Sequence, residues 1–213
     1  MSRRRSVANS NRVDPGEHRA PSDHPFRRRI ACVAAKLIAE EGLTDYQAAK
    51  MKAARSLGCD KKEALPDNRE IEAAVREHLA IFQSDSQPRE LRALREIASV
   101  VMRCLQPFSP QLLGPVLTGT ANRFSSIELE LIVGEEKALD LYFLNEHVVY
   151  EVVVHDSGNL RKQRRGYKFS FANVPIMASA FMSAAERAQH GLNGGTNNDR
   201  ADLAGVQALL QAT

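Results

Sequence analysis

The sequence predicts an α+β protein: a helical N-terminal region followed by a small mixed-sheet domain. Three observations predict it. Apolar residues recur at helical spacing from about residue 26 to residue 105. The period then shortens to alternation, as strands require. Pro107, Pro110 and Gly114 mark the join at 107–114, so the chain divides into a basic arm over 1–25, a helical region over 26–106 and a sheet domain over 107–213.

The arm is polar, carries Pro15, Gly16 and Pro21, and shows no apolar periodicity, so disorder is expected there. The first helix follows from Phe26 to Glu41, with Ile30, Val33, Ala34, Leu37 and Ile38 on one stripe and Gly42 as its stop. Thr44 with Gln47 reads as a capping box opening a second helix that ends at Gly58. Asp67 with Glu70 opens a third, carrying Ile71, Val75, Leu79 and Phe82 on one stripe. Pro88 suits the first turn of a fourth, which runs through Leu91, Leu94, Ile97, Val101 and Leu105. Beyond the join, Pro115–Thr120 and Ser126–Val133 read as strands, Glu135–His147 as a helix and Val148–His155 as a strand. A hairpin about Ala172-Asn173 follows. The segment 184–198 reads as mobile, and Asp199 as the cap of a closing helix.

Composition narrows the classes of function. The chain has 213 residues, 43% of them apolar and 26% charged, with a net charge of only +3. No apolar run approaches the roughly 18 residues of a membrane span, and the N-terminal arginines precede no apolar segment, so no export signal is expected. Three scattered cysteines without a CxxC pair read as reduced thiols of a cytoplasmic protein. The charge is uneven: the first 29 residues hold eight arginines against three acids. Such a segment is either a solvated arm or a contact for nucleic acid or an acidic partner.

The chemistry-bearing pattern is Gly119-Thr120 followed by Glu128-Leu129-Glu130. On a strand, Glu128 and Glu130 project from one face, and two carboxylates so close are tolerable with a divalent cation between them. Glycine lets a backbone approach a phosphate closely, and the Thr120 hydroxyl can donate to it. Magnesium takes oxygen ligands and keeps substrate phosphate oxygens in its shell.

This order of elements resembles the small nucleotidyltransferase domain of the DNA polymerase β superfamily, over roughly residues 112–155. The resemblance implies magnesium held by Glu128, Glu130 and Glu151 as the catalytic acids, with Glu151 on a strand beside that of Glu128. It implies a nucleoside triphosphate held by Gly119 and Thr120, with Arg123, Ser125 and Ser126 alongside. All three acids are glutamates where that family favours aspartates. The activity implied is magnesium-dependent nucleotidyl transfer to an acceptor the sequence does not name, or nucleotide binding by a degenerate relative.

Two other classes compete. Leu37 to Gly58 has the outline of a helix-turn-helix, with Lys50, Lys52 and Arg55 on an alanine-rich second helix, and with the arginine arm it suits DNA binding. The alternative for those alanines is close helix packing. A non-catalytic interaction scaffold is the other class, in which Glu128 and Glu130 are surface acids of an amphipathic strand. Arg161-Lys162-Gln163-Arg164-Arg165 reads as a phosphate-neutralising loop or a solvated turn. The chain has no G-x-x-x-x-G-K-[ST] loop, no G-x-S-x-G elbow and no G-x-G-x-x-G, which removes the motif support for P-loop ligases, serine hydrolases and dinucleotide enzymes.

Overall fold

The computed structural model describes residues 25–59, 65–135, 137–155, 164–193 and 199–212. The basic arm up to residue 24, positions 161–163 of the basic loop and the glycine pair at 194–195 lie outside the described residues. The chain is α+β, as its periodicities require: helices lead and a five-stranded mixed sheet follows. No described helix is long and apolar enough to cross a membrane.

Three helices, α1 (Pro25–Glu41), α2 (Tyr46–Ser56) and α3 (Asn68–Phe82), form the first unit. Their shared core is Ile30, Ala34, Leu37 and Ile38 of α1, Ala49, Ala53 and Ala54 of α2, and Ile71, Val75 and Leu79 of α3. The alanines of α2 are therefore packing residues that let it approach its neighbours closely. The cap of α2 is Asp45, whose Oδ1 accepts from the Gln47 amide at 2.7 Å, rather than Thr44 one residue earlier. At α3 the expected capping box is formed: Asp67 Oδ1 accepts from Glu70 N at 2.9 Å and Glu70 Oε2 from Asp67 N at 2.6 Å. Glu70 also receives Arg27 at 2.7 Å and so ties α1 to α3. Asp67→Ala should cost about 1 kcal/mol, read as a lower urea midpoint with an unchanged slope.

The fourth helix, α4 (Gln87–Cys104), shares its core with the sheet and not with the first three helices. The helical region expected over 26–106 thus divides by packing near residues 83–86. A 3-10 turn (Gln106–Phe108) leads to β1 (Gln111–Leu113). The expected strand over 115–120 is instead a five-residue helix, α5 (Gly114–Thr118), entered through Gly114 and closed by Gly119 at φ 86°. Then come β2 (Ile127–Ile132), α6 (Ala138–Asn145), β3 (Tyr150–His155), β4 (Arg164–Phe171), β5 (Val174–Phe181), α7 (Ala184–Asn193) and α8 (Leu203–Gln211). Ala172 and Asn173 both adopt positive φ in the tight turn between β4 and β5, as a two-residue hairpin loop demands. Helix α8 is capped by Asp202, not Asp199.

The strand order is β1-β2-β5-β4-β3, with β2 and β5 parallel and every other pair antiparallel. One face carries Ile127, Leu129 and Leu131 of β2, Ile176 and Ala178 of β5, and Tyr167 and Phe169 of β4. It packs on α4, α6 and α8 through Leu91, Leu94, Ala98, Met102, Leu139 and Val206. Phe143 anchors the far end, with ring centroids 5.0 to 5.8 Å from Tyr150, Tyr167 and Phe169. These edge and tilted contacts are the favoured aromatic geometries.

Candidate functional site

Alternation along β2 sends Glu128 and Glu130 to the face opposite the core, as expected. Their surroundings then separate them. Glu130 is 4% exposed. Arg200 grips it with two nitrogens, Nε to Oε2 at 2.8 Å and Nη2 to Oε1 at 3.3 Å. A planar guanidinium matches a carboxylate in this forked geometry. Ala201, the next residue, exchanges backbone hydrogen bonds with Leu112 at 2.8 and 3.1 Å and closes the β1 edge of the sheet. Glu130 is therefore the anchor of this strap.

Glu151 does not reach the other two acids. The register runs Glu128, Met177, Lys168, Glu151 straight across the sheet, so Glu151 lies in the row of Glu128 and on its face. Three strand spacings separate them, about 14 Å. The strand-helix-strand connection was expected to make β2 and β3 neighbours, but β5 pairs with β2 in parallel and the β4–β5 hairpin fills the interval. Glu151 is 70% exposed and pairs with Lys168 at 3.9 Å. Magnesium clamped by Glu128, Glu130 and Glu151 does not fit these positions: one acid is committed to arginine and one is three strands away. Among the described residues, no group of three or more metal-ligating side chains is arranged around a common point.

The Gly119-Thr120 turn is also closed to phosphate. The amides of Gly119, Thr120 and Ala121 all converge on the Pro115 carbonyl at 3.0 Å. Thr120 is 2% exposed, and its hydroxyl lies 3.1 Å from that of Thr118. Buried Arg95 donates to the carbonyls of Val116 and Leu117, finishing the short helix. Arg123 lies on the surface with its guanidinium 4.6 Å over the Phe124 ring. Ser125 closes a local turn, its hydroxyl accepting from the Asn122 amide at 3.0 Å, while Asn122 reaches across to the Ala39 carbonyl of α1. That loop therefore ties the sheet to the first helical unit.

Glu128 remains as the acid with a chemical vacancy. No hydrogen bond or ion pair joins it to another described residue. Its carboxyl lies against Gly114, where an added Cβ would fall 2.6 Å from Oε2. Gly114 also has φ 67°, a region that favours glycine. One side of Glu128 is open to solvent, yet the protein around it crowds out water and pushes its carboxyl above the ordinary value. Gly114→Ala combines backbone strain with that collision and is expected to cost roughly 1–3 kcal/mol, measured by thermal unfolding. Unchanged stability would mean that neither the positive φ nor the Glu128 carboxyl restricts a side chain at this position.

Glu128 forms part of a cleft between the first helical unit and the sheet. A cavity of about 290 Å³ is lined by Thr44, Tyr46, Asn68, Glu72, Gly114 and Glu128, among others. It adjoins an open depression of about 620 Å³ that shares Glu72 and Thr118 and extends to Arg76 and Arg200. A third space of only about 20 Å³ shares Thr44, Tyr46 and Glu128 and adds Ser125 and Ser126. Tyr46 lines both the cavity and the smaller space. Burial pushes its phenol up, a hydrogen bond with Thr120 opposes this, and the nearby charges of Glu72 and Glu128 push further. Arg76 lies 3.2 Å from Glu72 and 3.4 Å from the Thr118 carbonyl, bridging the two walls.

The basic residues of α2 are partly committed. Lys50 is buried and reaches Asn68 at 3.3 Å, and Lys52 pairs with Glu41 at 2.6 Å. In the basic loop, Arg165 pairs with Asp140 at 2.9 Å. Sequence reasoning missed Tyr46, Glu72, Gly114 and Arg200 as site residues. No family model matches the chain, and neither a curated protein nor a solved structure matches it.

Proposed function

We propose that this protein binds a small polar molecule in the cleft between its first three helices and the sheet, without a two-metal clamp. The observation that carries the reading is Glu128: a crowded, unpartnered carboxylate facing a cleft. Such groups are costly unless something binds them, and they concentrate at functional sites. The cleft volume lies in the range of small-ligand pockets. Its walls come from two separately packed units joined by polar contacts, which is where ligand sites recur. A nucleotide is the ligand class that the resemblance names. Two-ion nucleotidyl transfer draws no support from the positions of Glu130 and Glu151, nor phosphate binding from the amides of Gly119 and Thr120.

The test is a chemical-shift titration of the full chain with ATP, GTP and simple amines, each with magnesium and with EDTA. Perturbations should cluster at Tyr46, Glu72, Gly114, Thr118 and Glu128 and persist in EDTA. Absence of any perturbation there, or binding that needs magnesium, would overturn the reading.

A further inference from the structure

The smallest space beside Glu128 has a definite chemistry. At about 20 Å³ it accommodates one group of the size of a water molecule. Glu128 lines it together with Asn122, with the hydroxyl-bearing residues Thr44, Tyr46, Thr120, Ser125 and Ser126, and with apolar neighbours such as Phe124. The Thr120 and Ser125 hydroxyls are already engaged with Thr118 and with the Asn122 amide, which leaves Thr44, Tyr46 and Ser126 for a ligand. Among the described residues, no cationic side chain lines this space. It meets the 290 Å³ cavity at Thr44, Tyr46, Pro115 and Glu128. A small polar recess with one carboxylate thus opens into a larger chamber.

We propose that this recess receives the ammonium head of a primary amine, with the remainder of the molecule in the larger cavity. A protonated primary amine is the ligand that uses every feature present. Its head has three N–H donors and the bulk of one water. The Glu128 carboxylate takes the charge and one donor. Hydroxyls of Ser126 and of Thr44 or Tyr46 accept the others. A water molecule fills the same volume but leaves the carboxylate charge unanswered, and a charged group with neither partner nor full hydration is costly. A quaternary ammonium is too large for the recess and has no N–H to donate. Gly114 belongs to the same device, because a side chain there would occupy the place of the carboxyl. The crowding that raises the Glu128 carboxyl points the same way, since a cation relieves it. This inference rests on the ligand-binding reading above and names the chemical class of the ligand.

Ligand-observed NMR on the full chain tests it, with propylamine and 1,4-diaminobutane as probes at pH 7 and tetramethylammonium as the bulky control. Both primary amines should bind at least tenfold more tightly than tetramethylammonium. Glu128→Gln should weaken them at least tenfold, and Ser126→Ala a few-fold. Equal affinity for tetramethylammonium would overturn the inference, as would affinity unchanged by Glu128→Gln. If no amine binds while ATP or GTP perturbs the cleft, the inference falls and the ligand-binding reading stands. If neither class perturbs the cleft, both fall.

Discussion

Arg200→Ala is expected to destabilise the protein by about 3–5 kcal/mol, because it leaves the Glu130 carboxylate buried without its forked partner. The pair is almost dry: the side chains are 5% and 19% exposed. The loss has a second component. Arg200 precedes Ala201, whose two backbone hydrogen bonds to Leu112 protect the β1 edge. Freeing the side chain loosens that strap and exposes unpaired strand groups. Arg187 limits the damage, since its guanidinium also feels Glu130, and burial holds its own pKa below the ordinary value. Urea unfolding measures the effect. The decisive comparison is the double variant Glu130→Gln with Arg200→Ala, which removes the stranded charge. It should be more stable than Arg200→Ala alone by 1 kcal/mol or more, the sign of a buried charge and not of lost packing. A change within 0.5 kcal/mol for Arg200→Ala would show that Glu130 finds water or another partner.

The same pair shows why part of the site was legible and part was not. Strand alternation is local, so the exposure of Glu128 and Glu130 on a common face followed from spacing. The partner of Glu130 lies 70 residues away, beyond any local pattern. The route to it was obscured because 184–198 read as mobile, whereas 184–193 form α7. A signal existed: Ser183 and Glu186 stand three apart, and at the start of that helix the Ser183 hydroxyl accepts from the Glu186 amide while the Glu186 carboxylate accepts from the Met182 amide. Glu151 failed for a different reason. Its strand was read correctly, but strand order is a long-range property, and the parallel pairing of β5 with β2 decides it. The turn at Gly119 is visible in the sequence. That its amides are spent on Pro115 is not, because 115–120 has the composition of a strand where α5 forms. Helices α1 to α4 were legible almost throughout, since α1, α3 and α4 have apolar stripes and α2 and α3 carry local caps. The division of their packing between two cores was not, because α4 looks the same in either partnership.

Glu128→Gln should raise stability at neutral pH while abolishing the binding assigned to this carboxyl. Burial raises the folded-state pKa of Glu128 above its unfolded value. Between those two values the folded chain holds the proton more tightly, so stability falls as pH rises through the window. Above the window the charged carboxylate is a constant penalty. Below it both states are protonated and the penalty vanishes. Other charges bear on the same place: Asp45 from α2, and Arg69, Glu72 and Arg76 from α3 line the adjoining cavity with Glu128 or its neighbouring depression. Glu72 is answered by Arg76, and Asp45 Oδ1 by the Gln47 amide. Neither replaces the missing partner of Glu128. Thermal unfolding from pH 4 to 8 should therefore show Glu128→Gln above wild type at pH 7 to 8, with the two curves converging as pH falls through the carboxylate range. Amine affinity should move the opposite way in the wild type, weakening as Glu128 takes up its proton. A variant less stable than wild type at neutral pH would mean that the carboxylate already has a stabilising partner. A gain in stability accompanied by loss of binding is the pattern of a residue kept for function, and it separates Glu128 from Glu130, whose ion pair with Arg200 ties the strap to the sheet.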